Sequence, residues 1–450
     1  MREPLDLWLY GTHVAVVREH NDRIEMDWTP DALERWSPGS RTLSALLPVG
    51  DPVNSVRARV FLDGLLPEGN ARTNHAFEAG VAEDDTFGLV RAFGRDTPGA
   101  AVFVPAGFGD PSSVGRYVPI SREELADRIS GADRHSPAPI EGRDSESSTL
   151  AGMVPKITVH REGDQWFACK EGAASTWIVK RSAAGSDVVD TEVASLALAR
   201  TLGITTVDAE VIDFGNGLRS IAVSRYDRKA GKRIHQEDLA QAIGLSTRDP
   251  NRKFQRGSKM PSLGHAADVL RLDGGDQDDL VRLVTLSHLI GNTDMHAKNI
   301  SFLRHSDGRV RLSPAYDIAM HLHLPRGGNR VSALDVNGKY LIDDITLDDI
   351  VAEASGWGLP VKRATRVVAA TAEELLDALK EIDRDQHPGV PDAAWDVVEE
   401  RAWRAADPVT RAMDSGGVEA SREGEVIVRG HDNSGKPVRP HTRRGPRRKR

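Results

Sequence analysis

The chain has 450 residues, 39% hydrophobic and 28% charged, with a formal net charge of −8. These values suit a multi-domain globular protein and argue against general nucleic-acid binding by the chain as a whole. The one cysteine, Cys169, excludes an intrachain disulfide and a four-cysteine metal centre and leans towards a reducing compartment.

Met1-Arg-Glu-Pro-Leu-Asp-Leu7 lacks an apolar core before a small-residue cleavage site, so no signal peptide is expected. No apolar run reaches about 18 residues, so neither a membrane span nor a membrane partner is expected, and cytoplasm is the expected location. Residues 5–10 and 13–17 are mostly apolar around Gly11-Thr12, which predicts a short hairpin. Asp63 to Arg72 reads as a helix end running into a turn punctuated by Pro67 and Gly69. A stretch from Pro105 to Ser148, rich in Pro, Gly, Ser and acids, predicts loop with one short helix from Ser121 to Ile129.

From Lys156 the texture changes. Ile157–His160, Trp166–Cys169 and Thr176–Val179 are strand-like, and Thr191–Leu202 has helical spacing with Gly203 as its stop. Val207–Phe214 and Arg219–Val223 return to strand character across Gly215-Asn-Gly217. Helices then dominate, with clear stripes over Gln277–Ile290 and Ala364–Ile382. A strand-rich lobe followed by a helix-rich lobe predicts an α+β architecture with a cleft between lobes. The expected divisions are an N-terminal subdomain (1–105), a loop-rich connection (106–146), a strand-rich lobe (147–235), a helical lobe (236–425) and a basic, disordered tail (426–450). From Lys436 onwards that tail carries eight Lys or Arg and no acid; it reads either as a source of phosphate contacts to nucleic acid or as a solubilising terminus.

Gly291-Asn-Thr-Asp294-Met-His296-Ala-Lys298-Asn299 follows the Gln277–Ile290 helix. After it come strand-like residues 300–304, a turn at 305–308, a second strand at 309–312, and then Pro314-Ala-Tyr-Asp317-Ile318. Phosphoryl transfer needs a group that orients the incoming hydroxyl and takes its proton, and oxygen ligands that hold Mg²⁺ on nucleotide phosphates. In the kinase arrangement an Asp does the first, and an Asn five residues on and an Asp beyond a hairpin do the second. Asp294, Asn299 and Asp317 have that spacing, although Asn and Asp are also ordinary turn residues after a helix. His296 reads as a charge near the phosphate, an orienter of Asp294 or a plain loop histidine, and Lys298 as a phosphate contact or a solvated lysine. Trp177-Ile-Val-Lys180 is an apolar strand ending in lysine, with Glu192 at the start of the next helix as its possible partner. Ser147-Ser-Thr149-Leu-Ala-Gly152-Met-Val-Pro-Lys156 could offer N–H groups to phosphates but matches no glycine-rich phosphate motif.

Taken together, these segments resemble the HipA family of bacterial toxin serine/threonine kinases. The resemblance runs through Leu66-Pro-Glu-Gly69, Gly94-Arg-Asp96, Leu150-Ala-Gly152 with Pro155-Lys156, Ile178-Val-Lys180, Arg225-Tyr-Asp-Arg228, His235-Gln-Glu-Asp238, Thr293-Asp-Met-His-Ala-Lys-Asn299 and Tyr316-Asp-Ile318, in family order over residues 1–400. It implies a two-lobed protein-kinase-like fold behind an additional N-terminal subdomain. It also implies ATP and Mg²⁺ as cofactors, Asp294 as catalytic base, Asn299 and Asp317 as metal ligands and Lys180 as the phosphate-binding lysine. The hinge meeting adenine would run from Val223 to Tyr226, and the loop with Ala151, Gly152, Met153, Val154 and Lys156 would cover the phosphates. Family members autophosphorylate a Ser beside this loop; Thr149 aligns with it here, with Ser148 and Ser147 as neighbouring acceptors. The family's partners are a small helix-turn-helix antitoxin, operator DNA through that complex, and protein substrates that include aminoacyl-tRNA synthetases. Val154 stands where the family commonly has Gln, and Ser224 replaces a usual Glu. A small-molecule kinase of the aminoglycoside phosphotransferase type shares the Asp-x-His-x-x-Asn pattern but lacks the segments at Leu66 and Gly94. A non-catalytic corepressor is the third reading.

Overall fold

A computed structural model describes residues 2–111, 114–132, 156–183, 185–257, 259–324 and 330–406, with the backbone of 425–428 and 441–444. The chain opens with strand β1 (Leu5–Leu9), whose Leu5, Leu7 and Leu9 alternate onto a buried face. Tyr10 and Gly11 take the positive φ of a tight turn into β2 (Thr12–His20), and β3 (Arg23–Trp28) extends the expected hairpin to a third strand. Helices α1 (Pro30–Arg35), α2 (Ser55–Gly64), α3 (Gly69–Ala79) and α4 (Thr86–Phe93) follow, and β4 (Val102–Pro105) closes a four-stranded sheet of order β3-β2-β1-β4. This unit has its own core, with Leu7, Phe61, Phe87 and Phe103 fully buried.

The stretch expected as a loop-rich connection contributes to the next sheet. Arg116–Ile120 forms β5, and α5 (Arg122–Gly131) is capped by Ser121 and Glu124 in a reciprocal box. Pro119 and the exposed Tyr117 obscured the strand, but Pro is tolerated at a sheet edge, where β5 lies. Next come β6 (Lys156–Glu162), β7 (Gln165–Lys170), β8 (Trp177–Arg181), α6 (Val188–Thr201), β9 (Ala209–Asp213) and β10 (Arg219–Ser224). The six strands pair in the order β5-β7-β6-β8-β10-β9, all antiparallel. β10 is buried on both faces: Ala222 packs with α5 residues, while Ile221 and Val223 pack towards α6 and the helical lobe.

A small ribbon of β11 (Arg228–Lys229) and β12 (Lys232–Arg233) leads to β13 (His235–Asp238), α7 (Leu239–Ala242), α8 (Leu263–Leu272) and α9 (Gln277–Ile290). The hairpin of β14 (Ser301–Arg304) and β15 (Val310–Leu312) pairs with β13 as a three-stranded sheet. The ribbon β16 (Val331–Val336) and β17 (Lys339–Leu341) and helices α10 (Leu347–Gly356), α11 (Val361–Glu381) and α12 (Asp392–Ala406) complete the helical part. α11 buries Ala364, Val368, Ala372, Leu375 and Leu379, the recurrence of one helical face. The backbone of β18 (Glu425–Val428) pairs with that of β19 (His441–Arg444), so these positions depart from the expected disordered tail. Val426-Ile427-Val428 has strand propensity that the tail's overall composition conceals. Among the described residues, no helix is long and apolar enough to cross a membrane.

Candidate active site

α9 delivers the first half of the site. Asp276 caps its N-terminus, and Gly291 ends it in the left-handed conformation at φ 77. A Cβ at Gly291 would lie 2.7 Å from Leu322 Cγ, so both backbone and space demand glycine. The 294–299 loop is then held by backbone hydrogen bonds, two within it and one to Lys253. His296 N–H donates to Asp294 O (2.8 Å), Asn299 N–H to His296 O (2.8 Å) and Ala297 N–H to Lys253 O (3.1 Å). Asn299 Nδ2 donates to Asp294 O at 2.9 Å, which leaves its Oδ1 as the atom available to a ligand.

The Asp294 side chain reaches solvent, yet the protein around it raises its carboxyl pKa, with Lys253 pulling in the opposite direction. His296 is buried edge-on against Phe254, 5.2 Å between ring centres, and burial pushes its imidazole down to about 3. It is therefore neutral near pH 7. Its Nδ1 accepts from Lys298 N–H at 3.3 Å, which suits an orienter of the loop and not a charge beside a phosphate. Lys298 departs from the expected phosphate contact. Its ammonium is buried beneath the loop, donates to Asp238 Oδ2 at 2.7 Å and lies 3.8 Å from Glu68. Burial works against its charge, but Asp238 and Glu68 outweigh it and the pKa rises.

The second half comes from the six-stranded sheet. Val179 points into the outer core, so period two turns Lys180 towards α6. There Lys180 Nζ donates to Glu192 Oε1 at 3.0 Å and to the carboxylate of Asp317. Asp317 sits beyond the β14–β15 hairpin at φ 51, an uncommon conformation for a residue with a side chain. Lys156 lies directly across the β6–β8 ladder from Lys180. Burial, with Lys180 second, pushes its ammonium down to about 7. The structure thus brings Lys156, Glu192 and Asp317 together around Lys180, while Asp294, His296 and Asn299 share the loop that follows α9. The calls at Ser147, Ser148, Thr149, Ala151, Gly152, Met153 and Val154 lie outside the described residues.

Val223 packs in the core at the end of β10, and Ser224 and Arg225 give their N–H groups to Asp208 O and Thr176 O. Tyr226 stacks beside Tyr316 at 5.1 Å and donates to Gln236 Oε1 at 2.8 Å. Two contacts had no motif to signal them. His321 Nδ1 accepts from Thr293 N–H at 3.2 Å, and the Lys253 carbonyl reaches the 294–299 loop from a segment distant in sequence.

Asn299 Oδ1 and the Asp317 carboxylate are hard oxygen donors, a set that fits Mg²⁺ completed by water and phosphate oxygens. A strand lysine paired to a helix glutamate, opposite an Asp-x4-Asn loop and a later Asp, defines a two-lobed protein-kinase-like enzyme of the α+β class. The comparisons agree. The HipA N-terminal domain matches residues 5–104 and the HipA-like C-terminal domain residues 148–379. The chain belongs to the HipA family, and its enzymatic class is that of a serine/threonine protein kinase. It is 27% identical over 390 residues to the serine/threonine-protein kinase toxin HipA of Shewanella oneidensis, covering 81% of this chain and 87% of that protein. It is 26% identical over 411 residues to a putative kinase, Y4dM, of Sinorhizobium fredii, covering 87% and 93%. Its fold matches HipA in the S. oneidensis complex of HipA, HipB and operator DNA, with a TM-score of 0.73, 24% identity, and 89% and 97% of the two chains covered.

Proposed function

We propose that this chain is an ATP- and Mg²⁺-dependent serine/threonine kinase of a cytoplasmic toxin–antitoxin module. It phosphorylates a protein, with an aminoacyl-tRNA synthetase as the substrate class suggested by the family, and itself near Thr149. A small helix-turn-helix antitoxin neutralises it and carries it to operator DNA; the solved complex of the S. oneidensis relative with HipB and its operator supports this partner.

The observation that carries the proposal is the Lys180–Glu192 pair, 3.0 Å apart, facing Asp317. Glu192 holds the ammonium of Lys180 in the cleft, where it meets the anionic phosphates of the nucleotide. Mg²⁺, bound by Asn299 and Asp317, would neutralise charge developing on the phosphates. Asp294 orients the acceptor hydroxyl and takes its proton. Its raised pKa makes it a better base than an ordinary aspartate. His296, neutral and buried, keeps the loop in register.

Incubation with γ-labelled ATP and Mg²⁺ is expected to place label within residues 147–149, and Asp294→Gln to abolish it. Label persisting in that variant would remove Asp294 from the mechanism.

A further inference from the structure

Leu66-Pro-Glu-Gly69 enters the sequence analysis only as a mark of resemblance. Glu68 immediately precedes α3, yet its side chain makes no capping hydrogen bond to that helix. The carboxylate turns instead into the interface with the helical lobe, where the residue is 6% exposed. Its Oε2 accepts from Lys253 Nζ at 3.2 Å. Its Oε1 accepts no hydrogen bond and lies 3.8 Å from Lys298 Nζ.

Both lysines support the base loop. Lys298 adjoins Asn299 and is anchored to Asp238 at 2.7 Å. Lys253 holds the loop through its carbonyl, which accepts the N–H of Ala297 at 3.1 Å. Its ammonium is buried, and Glu68 supplies its one hydrogen bond among the described residues. A buried ammonium that loses its anion is driven towards water. In Lys253 that movement would carry along the carbonyl that fixes Ala297. The Glu68 carboxylate makes no capping bond to α3; its hydrogen-bond and ion-pair partners are Lys253 and Lys298, both of which support the 294–299 loop.

We propose that Glu68 is a positioning residue for phosphotransfer: the N-terminal unit reaches under the base loop and holds it through Lys253 and Lys298. The unit is then a part of the active site and not an appendage to it. Glu68 touches no reacting group; it acts through the two lysines. The inference rests on Asp294 being the acceptor-side base.

The test uses the full chain as wild type, Glu68→Gln, Lys253→Met and the double variant. Single-turnover autophosphorylation from γ-labelled ATP is measured beside equilibrium binding of a fluorescent ATP analogue. Glu68→Gln is expected to slow transfer about 10- to 100-fold, the effect of a small misplacement of reacting groups, with nucleotide affinity unchanged. The double variant is expected to be no slower than the slower single variant, because the two residues act as one unit. It leaves Lys298 paired with Asp238 and no carboxylate unpaired, so it carries the test if Glu68→Gln fails to fold. Unchanged transfer in these variants, or equal losses of transfer and nucleotide binding, would overturn the proposal. A wild type that binds nucleotide and transfers no phosphate would instead defeat the phosphotransfer reading itself.

Discussion

Lys180 is the residue on which Glu192 and Asp317 converge, and in the proposed mechanism it meets the phosphates. Glu192 is buried beside it, so Lys180→Met removes the proposed phosphate contact and also leaves a buried carboxylate alone. Transfer is expected to fall about 100-fold or more, by the measure of a lost electrostatic donor. Breaking a buried pair from one side costs about 3 kcal/mol, so the melting temperature should fall too. Replacing both residues, Lys180→Met with Glu192→Leu, should recover most of the stability and none of the activity. The proposed role of Asp294 carries a pH dependence. In the proposed role Asp294 works deprotonated, and the protein around it raises its carboxyl pKa above the ordinary value of about 3.9. Activity should therefore be lost, as pH falls, at a higher pH than an unperturbed aspartate would give. A limb of kcat/KM at or below the ordinary value would contradict that role.

Among the elements, α9 and the loop it delivers matter most. Gly291→Ala forces a Cβ into a left-handed position against Leu322. It is expected to cost about 1–2 kcal/mol or more, read as a lower melting temperature, and to slow transfer by shifting the 294–299 loop. These elements were largely legible in the sequence. The Gln277–Ile290 stripe is α9 residue for residue, because apolar spacing and a glycine stop both mark it. The strand at 116–120 was not legible: a proline and an exposed tyrosine suit an edge strand, whose identity depends on the neighbour it pairs with. In the candidate site, spacing alone singled out Asp294, Asn299 and Asp317 for the proposed roles. The fate of Lys298 was not, since nothing local says that Asp238 and Glu68 wait beneath the loop.

At the scale of the whole molecule, the N-terminal unit is tied to the rest by buried charge. Asp96 faces Arg225, Arg228 and Arg233, and Asp227 accepts from Gly99 N–H and from Arg225. Arg304 pairs with Glu237 and Asp273, and Tyr10 donates to Arg304 O. Asp96→Ala leaves buried guanidinium groups without this anion and is expected to cost about 3–5 kcal/mol, with faster proteolysis between the units. Burial opposes the ionised forms of Asp96 and Asp227, but the surrounding arginines win and both pKa values lie below the ordinary one. Their contribution is therefore complete above about pH 4, the unfolded value, and is lost as pH falls further. Acid titration monitored by melting temperature should show that loss in wild type and a weaker one in Asp96→Asn.

The sequence by itself determined the succession of a strand-rich part by a helix-rich one, the α+β class and the Asp-x4-Asn and later-Asp spacing, because periodicity, stop residues and spacing are local properties. Apart from the Lys180–Glu192 pair, which the sequence offered, tertiary structure decided which charges meet. Glu68, Asp96, Lys253 and Lys298 are far apart along the chain or silent in their local context, and their roles come from burial. Once water is excluded, each carboxylate must find its cation, and the partners available are those that folding brings into reach.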